Sequence, residues 1–445
     1  MLVVGLGRSG IAAANLCLRK GAQVVGTDIR NAEQLGQSLS ALDAGVIRDL
    51  AGHDPAHFAA AELIIVSPGV PPIAPLAAAQ ARGVPILGEI ELAARFVTAP
   101  IVAVTGTNGK STTTSLIGEM LVRSGRSTFV GGNLGVPLAE AVAEDRVDDL
   151  QAVVLELSSF QLETVERFSA HVALLLNVSE DHLDRYPDYA SYLAAKARVF
   201  AGQTPADFAI VANDRDCLDL AAAGQGRTLP FGLTAETAPP AGAWLTASEF
   251  VLVGLSDADH ATERYPISAL RLAGRHNQLN ALAAIAAARL FGASPAAVEQ
   301  TLREFAGLPH RMAHVRTLDG VDYYNDSKAT NVGSVVGGLA GFERPVVLIA
   351  GGKDKGGDYR PFAEAVSAHC RHVVLLGAAA ELIAAALDDD TAVSRATTMD
   401  QAVAQARQAA QLGDAVVLAP ACSSYDMYEN YARRGDDFAR AVNAL

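Results

Sequence analysis

Short apolar runs alternate with alanine-rich stretches along nearly the whole chain, and that alternation predicts an α/β protein with mainly parallel sheets. Leu2–Val4, Val24–Gly26, Leu63–Val66 and Pro85–Leu87 read as strands of a first unit. A second opens at Ile101–Val104 and continues through Ala152–Glu156, Val172–Asn177 and Ala209–Ala212. A third carries Val321–Tyr324, Val346–Ala350, His372–Leu376 and Ala415–Ala419. Residues 225–266 are richer in Pro, Gly and Thr and are expected to be irregular or β. A long helix is expected over Asn277–Leu290 with Gly292 as its stop, and a helical stretch over Tyr189–Phe200. The expected domains are residues 1–92, 93–308 and 309–445. The first strand is unusually short, which leaves open a natural start upstream of Met1.

The length of 445 residues agrees with three domains. Lys and Arg total 35 against 49 Asp and Glu, a formal charge of −14, so the chain lacks the basic face a general nucleic-acid binder needs. With 50% hydrophobic and 19% charged residues it is not disordered. Cys17, Cys217, Cys370 and Cys422 are scattered without metal-ligand spacing, as in a reduced cytosolic protein. No basic region precedes an apolar stretch at the N-terminus, so a signal peptide is not expected. The longest uncharged run, Leu63–Ala81, contains Pro68, Pro71, Pro72 and Pro75, which argues against a membrane helix. A soluble, cytoplasmic monomer is the expectation.

Gly5-Leu6-Gly7-Arg8-Ser9-Gly10 follows the first strand and opens a helix, and Asp28 ends the second strand. This is the dinucleotide fingerprint, in which glycines let backbone approach a pyrophosphate and an acid meets a ribose. The same device holds any nucleotide diphosphate, and a tight turn needs the same glycines. Gly106-Thr107-Asn108-Gly109-Lys110-Ser111-Thr112 is more specific. It is a shortened phosphate loop, with Val104 where the usual spacing puts glycine, and its helix is expected to stop near Gly125. Its N–H groups would cradle phosphates, Lys110 would reach the β/γ oxygens and Ser111 could ligate Mg²⁺, so ATP or GTP binding is expected. Glu156 ends a buried strand, where such proteins hold their metal, and His182 follows the next strand at the same sheet edge. Spacing alone makes Lys196 an exposed helical lysine. Asn277 and Asn280 lie one turn apart and could cap a helix or meet a base edge. In the third unit, Asn325–Asn331, Gly351–Gly357 and Cys422–Tyr425 are polar or glycine-rich loops after strands, where open α/β sheets bind ligands.

Together these residues resemble the Mur ligase family, which builds the peptidoglycan stem peptide. The resemblance covers nearly the whole chain through residues 106–112, 131–135, 156–162, 181–186, 276–281, 307–311, 325–331 and 421–435. It implies a Rossmann-like UDP-binding domain, a P-loop ATP-binding domain and a Rossmann-like amino-acid-binding domain. Asp326–Asn331 points to the branch that adds D-glutamate. The implied reaction is ATP-dependent ligation of D-glutamate to UDP-N-acetylmuramoyl-L-alanine through an acyl phosphate. A different Mur ligase or a folylpolyglutamate-synthase-like ligase is the alternative; an NAD-dependent dehydrogenase or a nucleotide switch leaves most motifs unused. The resemblance implies that Lys196 is carbamylated by CO₂ and, with Ser111, Glu156 and His182, serves two Mg²⁺ sites. Lys110, Glu156, His182 and Lys196 would be catalytic, and Gly106–Thr112, Asn277, Asn280, Arg311 and Asp326 would bind ATP. Arg8, Ser9, Ile29, Arg30, Ser67, Gly69, Asn133, Ser158, Gln161 and Tyr186 would hold the UDP substrate. Lys328, Thr330, Lys355, Ser424 and Tyr431 would take D-glutamate. The family commonly has another residue at position 8 and often Phe at position 431.

Overall fold

Each apolar run becomes a strand in the computed structural model, which describes residues 1–183, 185–234, 240–255, 262–272 and 274–445. Among the described residues the strands form three sheets. In the first, β1 (Leu2–Val4), β2 (Val25–Asp28), β3 (Ile47–Leu50), β4 (Ile64–Val66) and β5 (Ile86–Gly88) are parallel in the order β3-β2-β1-β4-β5. The second contains β6 (Ile101–Thr105), β7 (Thr128–Gly132), β8 (Ala152–Glu156), β9 (Val172–Leu175), β10 (Phe208–Ala212), β11 (Arg227–Leu233), β12 (Gly242–Leu245), β13 (Glu249–Val253) and β14 (Thr262–Pro266). Its order is β14-β13-β12-β11-β10-β9-β6-β8-β7, parallel except where β13 runs against β12 and β14. The third comprises β15 (Ala313–Leu318), β16 (Val321–Asn325), β17 (Val346–Gly351), β18 (Cys370–Leu376), β19 (Val393–Arg395) and β20 (Ala415–Leu418). It is ordered β15-β16-β20-β17-β18-β19, with only β15 antiparallel to its neighbour.

Strand order reverses at β1/β4 in the first sheet, around β6 in the second and around β20 in the third. Reversal sends the connecting helices to opposite faces and opens a crevice beyond the strand ends. The fingerprint loop follows β1, the phosphate loop follows β6 and the loop Cys422–Tyr425 lies beyond β20. Residues 225–266 supply β11–β14, so their turn-rich composition conceals a sheet extension. β3, β7, β15 and β19 were not marked by apolar runs, and all four are edge strands.

The chain divides into two compact units, the first Met1–Val178, Ala190–Ala269 and Leu279–Arg303, the second Ser179–Tyr189, Leu270–Gln278 and Glu304–Leu445. Within the first unit one apolar core runs from Val3, Leu6 and Leu16 to Leu138, Val142, Leu155 and Leu175, joining the first two sheets through their helices. In the second, Val346, Leu348 and Val417 face one layer of helices while Val347, Ile349 and Val416 face another, the period of two that a covered sheet requires. No described helix is long and apolar enough to cross a membrane.

Two buried acids lie within the core of the first unit, on the helix Glu89–Ala94. Glu91 Oε2 accepts the N–H groups of Glu166, Arg167 and Phe168 at 2.8–3.0 Å, and Arg95 holds its other oxygen. Burial pushes this carboxyl up, but those donors win and hold it below the usual range. Glu89 Oε1 accepts Ala139 N at 2.6 Å, and its buried Oε2 has no hydrogen-bond partner among the described residues. Desolvation therefore pushes Glu89 from 4.5 up to about 7. A raised folded pKa stabilises the protein fully below the unfolded value and loses that contribution as pH rises through the folded one. Relative to Glu89→Gln, the native chain should lose up to ~1.4 kcal/mol per pH unit between about 4.5 and about 7. Urea midpoints of both proteins across that range test this; parallel curves would mean that Glu89 does not titrate there.

Candidate functional site

The fingerprint loop after β1 is braced from behind, since Ser67 Oγ donates to Gly5 O at 2.6 Å. A Cβ on Gly10 would collide with that same carbonyl, so the helix Arg8–Arg19 approaches only because residue 10 is glycine. Asp28 is 3% exposed and already occupied. Its carboxylate accepts Leu6 N at 2.7 Å and both Nε and Nη2 of Arg30 at 2.9 and 2.8 Å. These donors outweigh desolvation and hold its carboxyl below the ordinary range. The acid that a dinucleotide-binding protein would turn to a ribose thus ties the loop to Arg30 instead, which removes the main support for NAD. Around it, Arg8 (3.7 Å from Glu140), Ser9, exposed Ile29, Arg30, Ser67 and Gly69 gather at the carboxyl ends of β1, β2 and β4.

The loop after β6 is held in shape by its neighbours. Asn177, beyond β9, accepts Asn108 N at 2.8 Å through Oδ1 and donates to Asn108 O at 3.0 Å, while its carbonyl accepts Thr107 N. Lys110 Nζ donates to Gly106 O and Thr107 O at 2.9 and 2.8 Å. Lys196 is not the exposed lysine that its spacing suggested: it is 2% exposed, and its Nζ donates to Gly106 O at 2.8 Å. Two ammonium groups thus converge on one carbonyl of the phosphate loop. Tyr192, one turn before Lys196, places its ring 4.5 Å from that Nζ, and its hydroxyl lies 3.0 Å from Thr107 Oγ1. On the other flank, Asn280 packs its side chain against Gly109.

Glu156, at the end of β8, is 1% exposed. Its Oε2 accepts Ser111 Oγ at 2.5 Å and its Oε1 accepts Asn133 Nδ2 at 2.7 Å. A buried carboxylate beside a hydroxyl is the oxygen donor set that Mg²⁺ prefers, so these residues fit that ion. No three His, Cys, Asp or Glu side chains converge among the described residues, and an ion here would complete its shell with phosphate and water oxygens. Ser158 and Gln161 engage each other in a capping box at the helix Ser159–Leu162.

In the second unit the loops beyond β16 and β20 are laced together by Arg434, which is 2% exposed. It donates to Ser327 O and Oγ and to the carbonyls of Cys422 and Ser423. Burial lowers its pKa to about 10, so the guanidinium stays charged. Lys328 Nζ lies 3.3 Å from Tyr431 Oη and 4.8 Å from the ring centre. Asp181 Oδ1 meets Lys355 Nζ at 3.4 Å and Asp181 Oδ2 accepts Asn331 Nδ2 at 3.1 Å, whereas Lys353 is exposed and spends its backbone on a bridge to Ser423. His182 stands beside Asp181 with φ +57, and Tyr186 is buried, while Asp184 lies outside the described residues. Burial pushes Asp326 up to about 6, with Arg311 and Met312 N opposing it. Thr330 and Ser424 lie on two of these loops, Ser424 buried. Asn277 and Asn280 share the helix Arg275–Leu290, whose residues through Gln278 group with the second unit and from Leu279 with the first.

Sequence reasoning missed Asn177, Tyr192, Asp181 and Arg434. Asn177 and Asp181 flank a strand end already marked as polar, which was a usable signal. Tyr192 and Arg434 look like ordinary helical residues until the helices are packed. Asn177→Ala removes both side-chain bonds to Asn108 and should weaken nucleotide binding about 30-fold, given ~1 kcal/mol for each of the two lost bonds. Titration with a fluorescent ATP analogue checks this, and an unchanged Kd would show that the loop holds its own shape.

Three family models match the chain, one on each sheet: the Mur ligase MurD-like N-terminal domain over residues 1–88, the Mur ligase middle domain over 104–288, and the Mur ligase glutamate ligase domain over 310–422. The architecture is therefore three α/β domains, the first two sharing one core. The chain is 45% identical over 448 residues to a UDP-N-acetylmuramoylalanine--D-glutamate ligase of Geotalea daltonii, covering 100% of this chain and 97% of that one. It is 46% identical over 451 residues to the enzyme of the same name from Desulfatibacillum aliphaticivorans, covering 100% and 98%. Among solved structures, the UDP-N-acetylmuramate-alanine ligase MurC of Thermotoga maritima superposes with a TM-score of 0.60 at 19% identity, over 100% of this chain and 99% of that one, a likeness of fold. With phosphate loop, strand-end carboxylate and C-terminal loop cluster carried on this three-sheet frame, and with full-length relatives at such identity, the chain belongs to the Mur ligase family.

Proposed function

We propose that this chain joins D-glutamate to UDP-N-acetylmuramoyl-L-alanine, converting ATP to ADP and phosphate, in the assembly of peptidoglycan precursors. The observation that carries the reading is the convergence of Lys110 and Lys196 on Gly106 O beside the buried Ser111–Glu156 pair. That arrangement suits the transfer of a γ-phosphoryl group onto an anionic acceptor. The choice of D-glutamate is supported by the names of the full-length relatives and by Asp326–Asn331.

A carboxylate is a poor electrophile, so the substrate carboxylate first attacks the γ-phosphorus, giving an acyl phosphate and ADP. The amine of D-glutamate then attacks the acyl carbon, and the tetrahedral intermediate expels phosphate. Lys110 and the N–H groups of Gly106–Thr112 offset the charge that builds up as two anions meet. Mg²⁺, held by Ser111 and Glu156 with His182 as a further ligand, would supply charge neutralisation and orientation at the phosphates. A carbamate on Lys196 would turn a cationic amine into an anionic oxygen ligand, and the burial of that lysine beside the loop supports this assignment. Asn277, Asn280, Arg311 and Asp326 are assigned to ATP. Lys328, Thr330, Lys355, Ser424 and Tyr431 are assigned to the glutamate carboxylates, with Asp181 holding Lys355 in place. Arg8, Ser9, Ile29, Arg30, Ser67, Gly69, Asn133, Ser158, Gln161 and Tyr186 are assigned to the UDP substrate. An α-amino group is mostly protonated at pH 7, so a base must accept a proton before attack: water where His182 holds the metal, or His182 where it does not. We further assign domain limits of 1–92, 93–308 and 309–445 and a cytoplasmic monomer.

Phosphate release from Mg-ATP with UDP-N-acetylmuramoyl-L-alanine should require D-glutamate and fail with L-glutamate, L-alanine or no amino acid. Release with a different amino acid would move the chain elsewhere in the family, and release without any would sink the ligase reading. Activity should also fall at least about 10-fold on CO₂ depletion and return with bicarbonate, as expected when a metal ligand is lost. A plain amine at Lys196 in a crystal density map, with activity insensitive to CO₂, would remove the carbamate.

A further inference from the structure

The loop after β7 makes a contact that neither the nucleotide nor the substrate assignment uses. β7 and β8 run parallel with Gly132 opposite Glu156. Gly132 has φ +95, and a Cβ there would stand 2.5 Å from Glu156 O, so only glycine lets the loop lie flat against the strand end. The next residue is thereby fixed. Asn133 N donates to Glu156 O at 2.8 Å, and Asn133 Nδ2 donates to Glu156 Oε1 at 2.7 Å. Ser111 Oγ holds the other carboxylate oxygen at 2.5 Å. A carboxylate terminus has a broad, nearly two-fold torsion of its own. With one oxygen held from the phosphate-loop helix and the other from β7, its plane is set before any ligand arrives. Outer-shell partners of this kind tune the affinity of metal ligands.

We propose that Asn133 is a positioning residue that sets the carboxylate plane of Glu156 and, through it, the affinity of the phosphate-loop site for Mg²⁺. This rests on the part of the reading above that puts a magnesium nucleotide at this loop, and not on the identity of the amino acid. Asn133 is exposed, so a substrate contact and this role are compatible. The role does distinguish Asn133 from a residue that only touches substrate, because its effect is present with substrate absent.

The test is a Mg²⁺ titration of the full-length chain holding a fluorescent, non-hydrolysable ATP analogue, without UDP substrate or amino acid. Asn133→Ala should raise the Mg²⁺ midpoint about 10-fold while leaving nucleotide binding in EDTA unchanged. In a Glu156→Gln background the same substitution should add no further shift, because Asn133 acts only through that carboxylate. Asn133→Ser removes the Nδ2 donor while keeping a small polar loop residue, and should reproduce the shift. A midpoint unmoved by both variants, or a further equal shift in the Glu156→Gln background, would overturn the role of Asn133 alone. A native chain whose nucleotide binding ignores Mg²⁺ would overturn the magnesium-nucleotide reading with it.

Discussion

A carboxylate buried at a strand end keeps its direction when donors reach both of its oxygens, and Glu156 shows how much structure that demands. One donor comes from the helix that follows the phosphate loop, the other from the loop after an edge strand, and the carboxylate itself ends a third element. β6, β7 and β8 must therefore sit in one register for the Ser111–Glu156–Asn133 line to exist. The same packing buries Lys196 against Gly106 O, so both side chains stand beside the loop where phosphate charge would lie.

The second unit applies the same logic with the signs reversed. Arg434 is a buried cation satisfied by carbonyls and a hydroxyl rather than by a carboxylate, and it ties two loops together without a counter-ion among these bonds. Lys328 extends from one of those loops and Lys355 from the loop after β17, each with a partner that limits its freedom, Tyr431 for one and Asp181 for the other. A chain of formal charge −14 must attract anionic substrates in this local way, since its overall field repels them.

Most of the fold was legible because buried parallel strands are written as apolar runs. The strands that escaped notice, β3, β7, β15 and β19, lie at sheet edges, where one side faces solvent and the code weakens. β3 reads Ile-Arg-Asp-Leu and β19 only Val-Ser-Arg, neither separable from loop by pattern. The loops of the site were legible for a different reason: backbone that cradles a phosphate needs glycine and small hydroxyl residues in a fixed order, and that order is local. What Asp28 holds was not legible, because Arg30 is only two residues away yet becomes its partner only when the strand end turns back.

The sequence by itself determined the α/β class, the three strand-rich segments and the loops at which chemistry could occur, because periodicity and turn chemistry act over a few residues. It could not decide what a lone lysine, tyrosine or arginine does. Lys196, Tyr192 and Arg434 acquire their roles from groups 90, 85 and 107 residues away. Only the tertiary structure brings those atoms within hydrogen-bond range and removes the water that would otherwise make them ordinary surface residues.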